Sequence, residues 1–206
     1  MICSAVEKLG RLCSGENPIR LFLDYDGTLA PFAPAPDVII PDQEVIALLD
    51  RIVRHPKLLP AILSGRSLEH LHRLLPMRGL LLAGTYGLEI ELPDGTRHNG
   101  VQYKAVRPVI EQLQTQWQNL IENRHGFFLE DKGRALALHA RFADPDEAQT
   151  VLNAAQAEIS ALNPGPGYDV ESRERFLELV PIEAKKVHSV EVILKRFSTP
   201  GSIPVY

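Results

Sequence analysis

Two carboxylates two residues apart, Asp24 and Asp26, are the side chains best placed for chemistry in this 206-residue chain. They follow the mostly apolar run 19–23, which predicts a buried strand. Gly27 then permits a sharp turn, so both acids are expected at the carboxyl end of a strand, where open α/β folds place their sites. There one carboxylate can attack phosphorus while the other transfers a proton, and a hard cation can screen the charge that they share with a phosphate.

This arrangement assigns a separate role to each acid. Asp24 is predicted to be the nucleophile, because its attack on a phosphate monoester gives an aspartyl-phosphate and divides hydrolysis into two easier steps. Asp26 is predicted to be the general acid and base, which protonates the leaving oxygen and then activates water. Mg²⁺ is the expected cofactor, with both acids as ligands. A surface turn is the alternative, whereas an EF-hand calcium loop is excluded because its glycine stands sixth and Gly27 is fourth from Asp24.

The stretch 23–31, LDYDGTLAP, resembles the haloacid dehalogenase superfamily of phosphohydrolases, and within it the trehalose-6-phosphate phosphatase family. The resemblance extends from Arg20 through the rest of the chain. It implies a Mg²⁺-dependent enzyme that hydrolyses a sugar phosphate monoester, with trehalose 6-phosphate as the first substrate and trehalose and phosphate as products. Sucrose-phosphatases and glucosylglycerate-type phosphatases are relatives of this family, so glucosylglycerate or mannosylglycerate phosphate is an alternative substrate.

Members of this family carry a further acidic motif, of the form GDDxTDE, after the last core strand. The residues 202–206, SIPVY, look like that strand, so the remaining metal ligand is expected beyond Tyr206. For the chain as it stands, this predicts weak metal affinity and low activity. An inactive fragment or a regulatory module that binds a sugar phosphate is therefore the alternative function.

Phosphate binding is assigned to residues of two loops. Ser64 and Gly65 follow the apolar run 58–63, and the Ser64 hydroxyl with the next backbone amides can hold phosphate oxygens at a helix N-terminus. Alternatively, a serine here caps that helix. Thr28 belongs to the same phosphate-binding group. Arg66 either orients the substrate or forms a surface ion pair.

The resemblance also supplies a phosphate-binding lysine. The spacing of Glu178, Pro181 and Lys186 matches the family pattern ExxPxxxxKG, although Val187 replaces its glycine. A lysine beside the nucleophile reduces the repulsion between carboxylate and phosphate and stabilises charge in the transition state. Lys185 is the adjacent alternative, because the assignment depends on the register of the sequence pattern.

The same resemblance assigns the sugar hydroxyls to four charged side chains, Glu130, Lys132, Arg141 and Glu178. Charged groups suit sugars because charge-assisted hydrogen bonds are strong and directional. From the residues alone, EDKG at 130–133 is equally an ordinary hairpin turn. The family segment that ends in EHG is GTYG at 84–87 in this chain, and this departure favours another sugar as the second candidate.

Strands that alternate with helices over the first part of the chain predict a doubly wound, mostly parallel Rossmann-like α/β core. The pattern then changes to helix-strand-strand twice, which predicts an inserted α+β domain. In the resembling family this insert is a cap that closes over the active site. The core is therefore predicted to be discontinuous, at 1–103 and 181–206, with the cap domain at 104–180.

The composition bounds the partners and the location of the protein. Hydrophobic residues make up 45% and charged residues 23%, with a net charge of −4, so no broad basic surface predicts nucleic-acid binding. The two cysteines are expected as reduced thiols, and no apolar run reaches membrane-spanning length. Four histidines lack metal-site spacing and are expected at surface or strand positions: His70, His72, His139 and His188. We therefore predict a monomeric cytoplasmic protein that binds a small-molecule sugar phosphate, without a nucleic-acid or membrane partner.

Overall fold

The computed structural model describes residues 7, 10–31 and 40–206. Two further predictions fall partly on residues outside this description. One is a short N-terminal helix predicted from Val6, Leu9 and Leu12, of which only Leu12 is described and is helical. The other is a proline-rich loop at 30–41, most of which lies outside the described residues. The chain divides into two compact units, which we call the core unit (Met1–His98 and Lys185–Tyr206) and the cap unit (Asn99–Ala184). These boundaries differ from the predicted ones by four or five residues, because residues 99–103 and 181–184 fall in the cap unit rather than the core unit.

Helices separate the strands of the described chain, which occur singly or in groups of two or three. The strands are β1 (Ile19–Asp24), β2 (Leu58–Leu63), β3 (Leu81–Gly84), β4 (Glu89–Glu91), β5 (Arg97–Asn99), β6 (Phe128–Asp131), β7 (Leu136–His139), β8 (Tyr168–Arg173), β9 (Phe176–Pro181) and β10 (Ile203–Val205). The α-helices whose bounds lie within the described residues include α1 (Gln43–Arg54), α2 (Leu68–Leu74), α3 (Tyr103–Ile121), α4 (Pro145–Leu162) and α5 (Lys186–Arg196). None of the helices in the described residues has the length and apolar character needed to span a membrane.

The core unit is organised around a six-stranded sheet in the order β10-β1-β2-β3-β4-β5. The first four strands in that order run parallel, and β4 is antiparallel to β3. This confirms the predicted doubly wound, mostly parallel core. Asp24 ends β1 beside Leu63, the last residue of β2. The two acids and the Ser64 loop therefore emerge at the same carboxyl edge of the sheet.

Two apolar layers hold the core sheet, because successive residues of a strand face opposite sides. One layer joins Ile62 of β2 to Leu49 of α1 and Leu71 of α2. The other joins Phe22 of β1 to Ile193 of α5. Burial of each such side chain stabilises the fold by about 1.5–3 kcal/mol. Helices on both faces thus fix the strand ends from which the candidate site residues project.

The cap unit contains a four-stranded antiparallel sheet in the order β6-β7-β9-β8, and its leucines pack with α3 and α4. Trp117 of α3 is fully buried, and its Nε1 donates a hydrogen bond to the Ala155 carbonyl of α4 at 3.1 Å. The order helix-strand-strand occurs twice, as predicted. The residues that alternate with the leucines point to the second face, which we call the charged face: Phe128, Glu130, Ala137, His139, Phe176 and Glu178.

A strained turn after β3 sets the position of α5. Thr85, Tyr86 and Gly87 have φ values of 48°, 56° and 91°, and such left-handed backbone costs about 1–3 kcal/mol for a residue other than glycine. The Ser189 hydroxyl of α5 donates to the Tyr86 carbonyl at 2.6 Å. A Cβ on Gly87 would lie 1.8 Å from Ser189 Oγ, so this close approach requires glycine. The turn therefore positions the start of α5, which is Lys186.

Substitution of Gly87 tests this constraint. We expect Gly87→Ala to lower the free energy of unfolding by about 3 kcal/mol or more. The alanine would be strained by the left-handed backbone, and its methyl group would also overlap with Ser189. Gly95→Ala is the matched control, since Gly95 also has a left-handed φ of +87° but no atom within 4 Å of its Cβ. The control should cost about 1–2 kcal/mol. Urea unfolding measures both, and equal losses would contradict a constraint from Ser189.

Candidate active site

An ion pair at the carboxyl edge of the core sheet joins Asp24 to Lys186, which lies 162 positions later in the chain. Lys186 Nζ donates to Asp24 Oδ2 at 2.7 Å, and the two side chains are 32% and 28% exposed. Within the described residues, Asp24 Oδ1 makes no hydrogen bond. Lys185, the alternative lysine, precedes α5 as its N-cap residue. The structure thus brings Lys186, at the start of α5, to the predicted nucleophile.

The turn after Asp24 is built on the backbone of Tyr25. The Tyr25 carbonyl accepts hydrogen bonds from the amides of residues 28–30 at 2.9–3.4 Å, and Gly27 has a left-handed φ of 81°. The Tyr25 side chain is buried in the core, and this burial raises the pKa of its phenol. The neutral phenol of Tyr25 therefore anchors the turn in the core. Thr28, a predicted phosphate ligand, lies exposed on the same turn.

Asp26 is held by a buried arginine. Arg66 Nη2 donates to Asp26 Oδ1 at 2.7 Å, and Arg66 Nε lies 3.1 and 3.0 Å from the two carboxylate oxygens. The planar guanidinium matches a carboxylate in this fork geometry. Arg66 is 7% exposed, and its Nη1 lies 3.1 Å from His70 Nε2. The pair therefore joins a buried arginine to a half-buried carboxylate, and a role of Arg66 in orienting the substrate stays a prediction.

The loop that begins at Ser64 lies at the same edge of the sheet. The buried Ser64 hydroxyl accepts a hydrogen bond from the Arg66 amide at 3.0 Å. Ser67 instead caps α2, since its hydroxyl accepts from the His70 amide at 3.2 Å. A Cβ on Gly65 would lie 2.8 Å from the ring of Tyr86. The tyrosine that replaces the family histidine thus packs directly on the glycine of this loop.

In the cap unit, the structure brings together three of the four residues assigned to the sugar. Lys132 Nζ donates to Glu178 Oε1 at 2.6 Å and lies 3.8 Å from Glu130 Oε2. Glu178 is fully buried, and Lys132 is 8% exposed. Ala137 stands between the two glutamates in the strand register, and its small side chain leaves room for the ammonium group. Arg141, the fourth residue, lies just beyond β7 and is exposed.

The donor set at the core edge fits a magnesium ion in its chemistry. Mg²⁺ in proteins is bound by one or two carboxylates together with water and substrate phosphate oxygens. Asp24 and Asp26 supply two such carboxylates at neighbouring positions of one turn. No group of three or more His, Cys, Asp or Glu side chains within the described residues has the arrangement of a metal site. The two acids therefore suit a cation that takes its other ligands from phosphate and water.

Comparison with known proteins identifies the family. The family model described as trehalose-phosphatase matches residues 22–206. The chain belongs to the trehalose-phosphatase family. The resemblance predicted from the DYDGT motif is thereby confirmed, and the match includes both Asp24 and Lys186.

Individual relatives in this family cover most of the chain. The trehalose-phosphate phosphatase of Mycobacterium avium is 30% identical over 197 residues, which are 94% of this chain and 49% of the relative. That of Mycobacterium marinum is 30% identical over 161 residues, or 78% of this chain and 40% of the relative. A probable trehalose-phosphate phosphatase of Sinorhizobium fredii is 30% identical over 84% of this chain and 63% of its own length. The chain thus spans less than half of the two mycobacterial relatives.

Solved structures share the fold of this family member. The C-terminal domain of the Candida albicans trehalose-6-phosphate phosphatase superposes with a TM-score of 0.75 at 24% identity, covering 91% of this chain and 64% of that one. The C-terminal domain of the Candida albicans trehalose synthase regulatory protein gives a TM-score of 0.70 at 14% identity, with the same coverages of 91% and 64%. At these sequence identities, the structural similarity establishes the fold but not the roles of the site residues.

Two of the histidines expected at surface or strand positions contact predicted site residues: His139 lies on β7 as expected, whereas His70 is buried on α2. His70 lies against Arg66, and the sequence signal for this contact is their spacing of four residues, which places side chains close together near a helix start. His139 Nε2 lies 2.9 Å from Glu130 Oε2. That contact depends on the register between β6 and β7, which the spacing of residues along the chain does not reveal.

Removal of Arg66 tests the pair that holds Asp26. We expect Arg66→Met to lower the free energy of unfolding by about 2–3 kcal/mol, because a half-buried carboxylate loses its charged partner. Arg54→Met is the matched control: Arg54 bonds Asp50 at 2.8 Å, but its side chain is 77% exposed. The control should cost less than about 0.5 kcal/mol. Urea unfolding gives both values, and a loss as small for Arg66→Met as for Arg54→Met would contradict a structural role of the buried pair.

Proposed function

We propose that this chain carries the catalytic side chains of a Mg²⁺-dependent phosphatase that hydrolyses trehalose 6-phosphate to trehalose and phosphate. The ion pair between Asp24 and Lys186 is the observation that carries the proposal, since it sets an ammonium group against the carboxylate predicted to attack phosphorus. Membership of the trehalose-phosphatase family and the relatives named trehalose-phosphate phosphatase support the same activity.

The first step is the attack of Asp24 on phosphorus. Oδ1 is the attacking atom, because Lys186 holds Oδ2 and thereby orients the carboxylate. A bond forms between Oδ1 and phosphorus while the bond from phosphorus to the sugar oxygen breaks, and Asp26 gives its proton to that oxygen. Lys186 reduces the repulsion between the carboxylate and the anionic phosphate and stabilises the charge that develops.

The second step hydrolyses the aspartyl-phosphate. Asp26, now ionised, takes a proton from water, and the resulting hydroxide attacks phosphorus and releases Asp24. The fork from Arg66 suits this half of the reaction, because a guanidinium stabilises an ionised carboxylate. The proton that Asp26 takes from water restores the acid for the next turnover, so the two steps balance.

Mg²⁺ is the proposed cofactor, with Asp24 and Asp26 as its protein ligands. When bound there, it would neutralise negative charge on the phosphate oxygens. Thr28, Ser64 and Gly65 are proposed to bind phosphate oxygens through hydroxyl and backbone amide groups. The Ser64 hydroxyl supports this role because it is ordered by the Arg66 amide at the edge of the sheet that also carries Asp24.

The sugar hydroxyls are assigned to the charged face of the cap unit. Glu130, Lys132 and Glu178 carry this part of the proposal, because their paired charges are ordered before any ligand binds. Arg141 is proposed as a further hydroxyl ligand, and Arg66 as a group that orients the substrate. Cytoplasmic location and a monomeric state stay predictions from composition.

Replacement of the nucleophile is the direct test of the mechanism. In the protein expressed from its complete reading frame, Asp24→Asn should reduce phosphate release by on the order of 10³-fold or more, because an amide oxygen is a poor nucleophile. Asp50→Asn, at an exposed surface pair, is the control and should leave the rate unchanged. A colorimetric phosphate assay measures turnover, and urea unfolding verifies folding. Undiminished turnover by folded Asp24→Asn protein would refute the assignment.

A substrate screen tests the sugar and the metal together. We expect the highest kcat/KM with trehalose 6-phosphate, ahead of the phosphates of glucosylglycerate, mannosylglycerate and sucrose. Chelation of Mg²⁺ should abolish release, and added Mg²⁺ should restore it, because the carboxylates and the phosphate share negative charge. A higher kcat/KM for another sugar phosphate would reassign the substrate. Binding without release from any substrate would favour a regulatory module.

A further inference from the structure

Three aromatic rings form a row across the charged face of the cap sheet. Phe128, His139 and Phe176 are cross-strand partners on β6, β7 and β9, beside the row that contains Glu130 and Glu178. The rings of Phe128 and His139 stack with centroids 4.3 Å apart at an interplanar angle of 6°. Phe176 meets His139 edge-on at 5.1 Å and 63°. The two phenyl rings therefore hold the imidazole in one orientation.

The imidazole is aimed at a carboxylate assigned to the sugar. His139 Nε2 lies 2.9 Å from Glu130 Oε2. A carboxylate can only accept a hydrogen bond, so Nε2 carries the hydrogen in this contact. The side chains of His139 and Glu130 are 21% and 16% exposed, so the pair borders solvent rather than the apolar core. The contact thus orders a carboxylate that a ligand can reach.

Lys132, the neighbouring cation, is too far from Glu130 to orient its carboxylate alone. Lys132 Nζ lies 2.6 Å from Glu178 Oε1 but 3.8 Å from Glu130 Oε2, so its close partner is Glu178. His139 supplies the shorter contact to Glu130. A glutamate that is free to rotate loses conformational freedom when it binds a ligand, whereas one that is already oriented does not.

We propose that His139 is a positioning residue for sugar recognition: it holds the Glu130 carboxylate, in an orientation fixed by Phe128 and Phe176, ready to accept a hydrogen bond from a sugar hydroxyl. This inference rests on the proposed function of the charged face. It assigns a function to a histidine and an aromatic pair that no sequence motif identified. Its chemical consequence is selectivity for hydroxyl-bearing substrates over phosphate esters that lack a sugar.

His139→Phe is the informative variant, because it keeps an aromatic ring in the row and removes the hydrogen-bond donor. We expect the KM for trehalose 6-phosphate to rise about tenfold with kcat within about twofold, the signature of lost uniform binding. For p-nitrophenyl phosphate, which has no sugar hydroxyls, kcat/KM should fall by less than about twofold. His139→Gln carries an amide donor and should restore the sugar KM to within about threefold. A purely structural role would not produce this split between substrates or the rescue by glutamine.

A control and a binding measurement separate this inference from the proposed hydrolysis. His72→Phe is the control, because His72 contacts Glu91 at 3.0 Å in the core unit and has no assigned role; it should change neither KM. Calorimetry of trehalose 6-phosphate with Asp24→Asn protein, with and without His139→Phe, needs no turnover and should give about a tenfold increase in Kd. If wild-type protein releases no phosphate but the Kd shift is found, hydrolysis fails and the positioning role stands. An unchanged Kd and KM, equal losses for both substrates, or no binding of this sugar phosphate would overturn the inference.

Discussion

The ion pair between Asp24 and Lys186 is the contact on which the core site depends, because it requires the end of the first strand and the start of the last helix to meet. Neither group can reach the other unless α5 begins at one particular point on the edge of the sheet. That point is set by the hydroxyl of Ser189 on the Tyr86 carbonyl and by the glycine that lets the two backbones approach. A strained turn distant in sequence from both charged groups thus determines the geometry of the pair between Lys186 and Asp24.

Paired opposite charges order both units. Arg66 and Asp26 pair in the core, and Lys132 pairs with Glu178 in the cap, in each case with at least one side chain removed from solvent. A buried charge is costly unless it is paired, so these pairs hold their side chains in place more firmly than surface pairs do. Arg20 contrasts with them: it is buried without a carboxylate partner among the described residues and donates to backbone carbonyls, one of which ends α5. There the negative end of the helix dipole takes the place of an acid.

The sequence predicted the parts of the fold that local patterns encode. The apolar run before Asp24 and the glycine after Asp26 specify a strand and a turn, and the family spacing identifies Lys186, so the edge of the sheet could be foreseen. Strand β5 could not, because Arg97–Asn99 is exposed and polar and has no apolar alternation. The left-handed backbone of Thr85 and Tyr86 could not be predicted either, since it follows from packing against α5 rather than from residue type. The contact of His139 with Glu130 depends on strand register, which composition and spacing leave undetermined.

The pairing of charges at the core edge also has a consequence for ligand binding. Asp24 pairs with Lys186 and Asp26 pairs with Arg66, so the four side chains are formally neutral when both carboxylates are ionised and carry one net positive charge when Asp26 holds the proton of the proposed first step. The two negative charges of a phosphate monoester dianion exceed the positive charge of these side chains in either state. A bound cation, which we propose to be Mg²⁺, would offset this excess of negative charge beside Asp24. The paired charges of the site therefore couple the proposed binding of the phosphate ester to that of the cation.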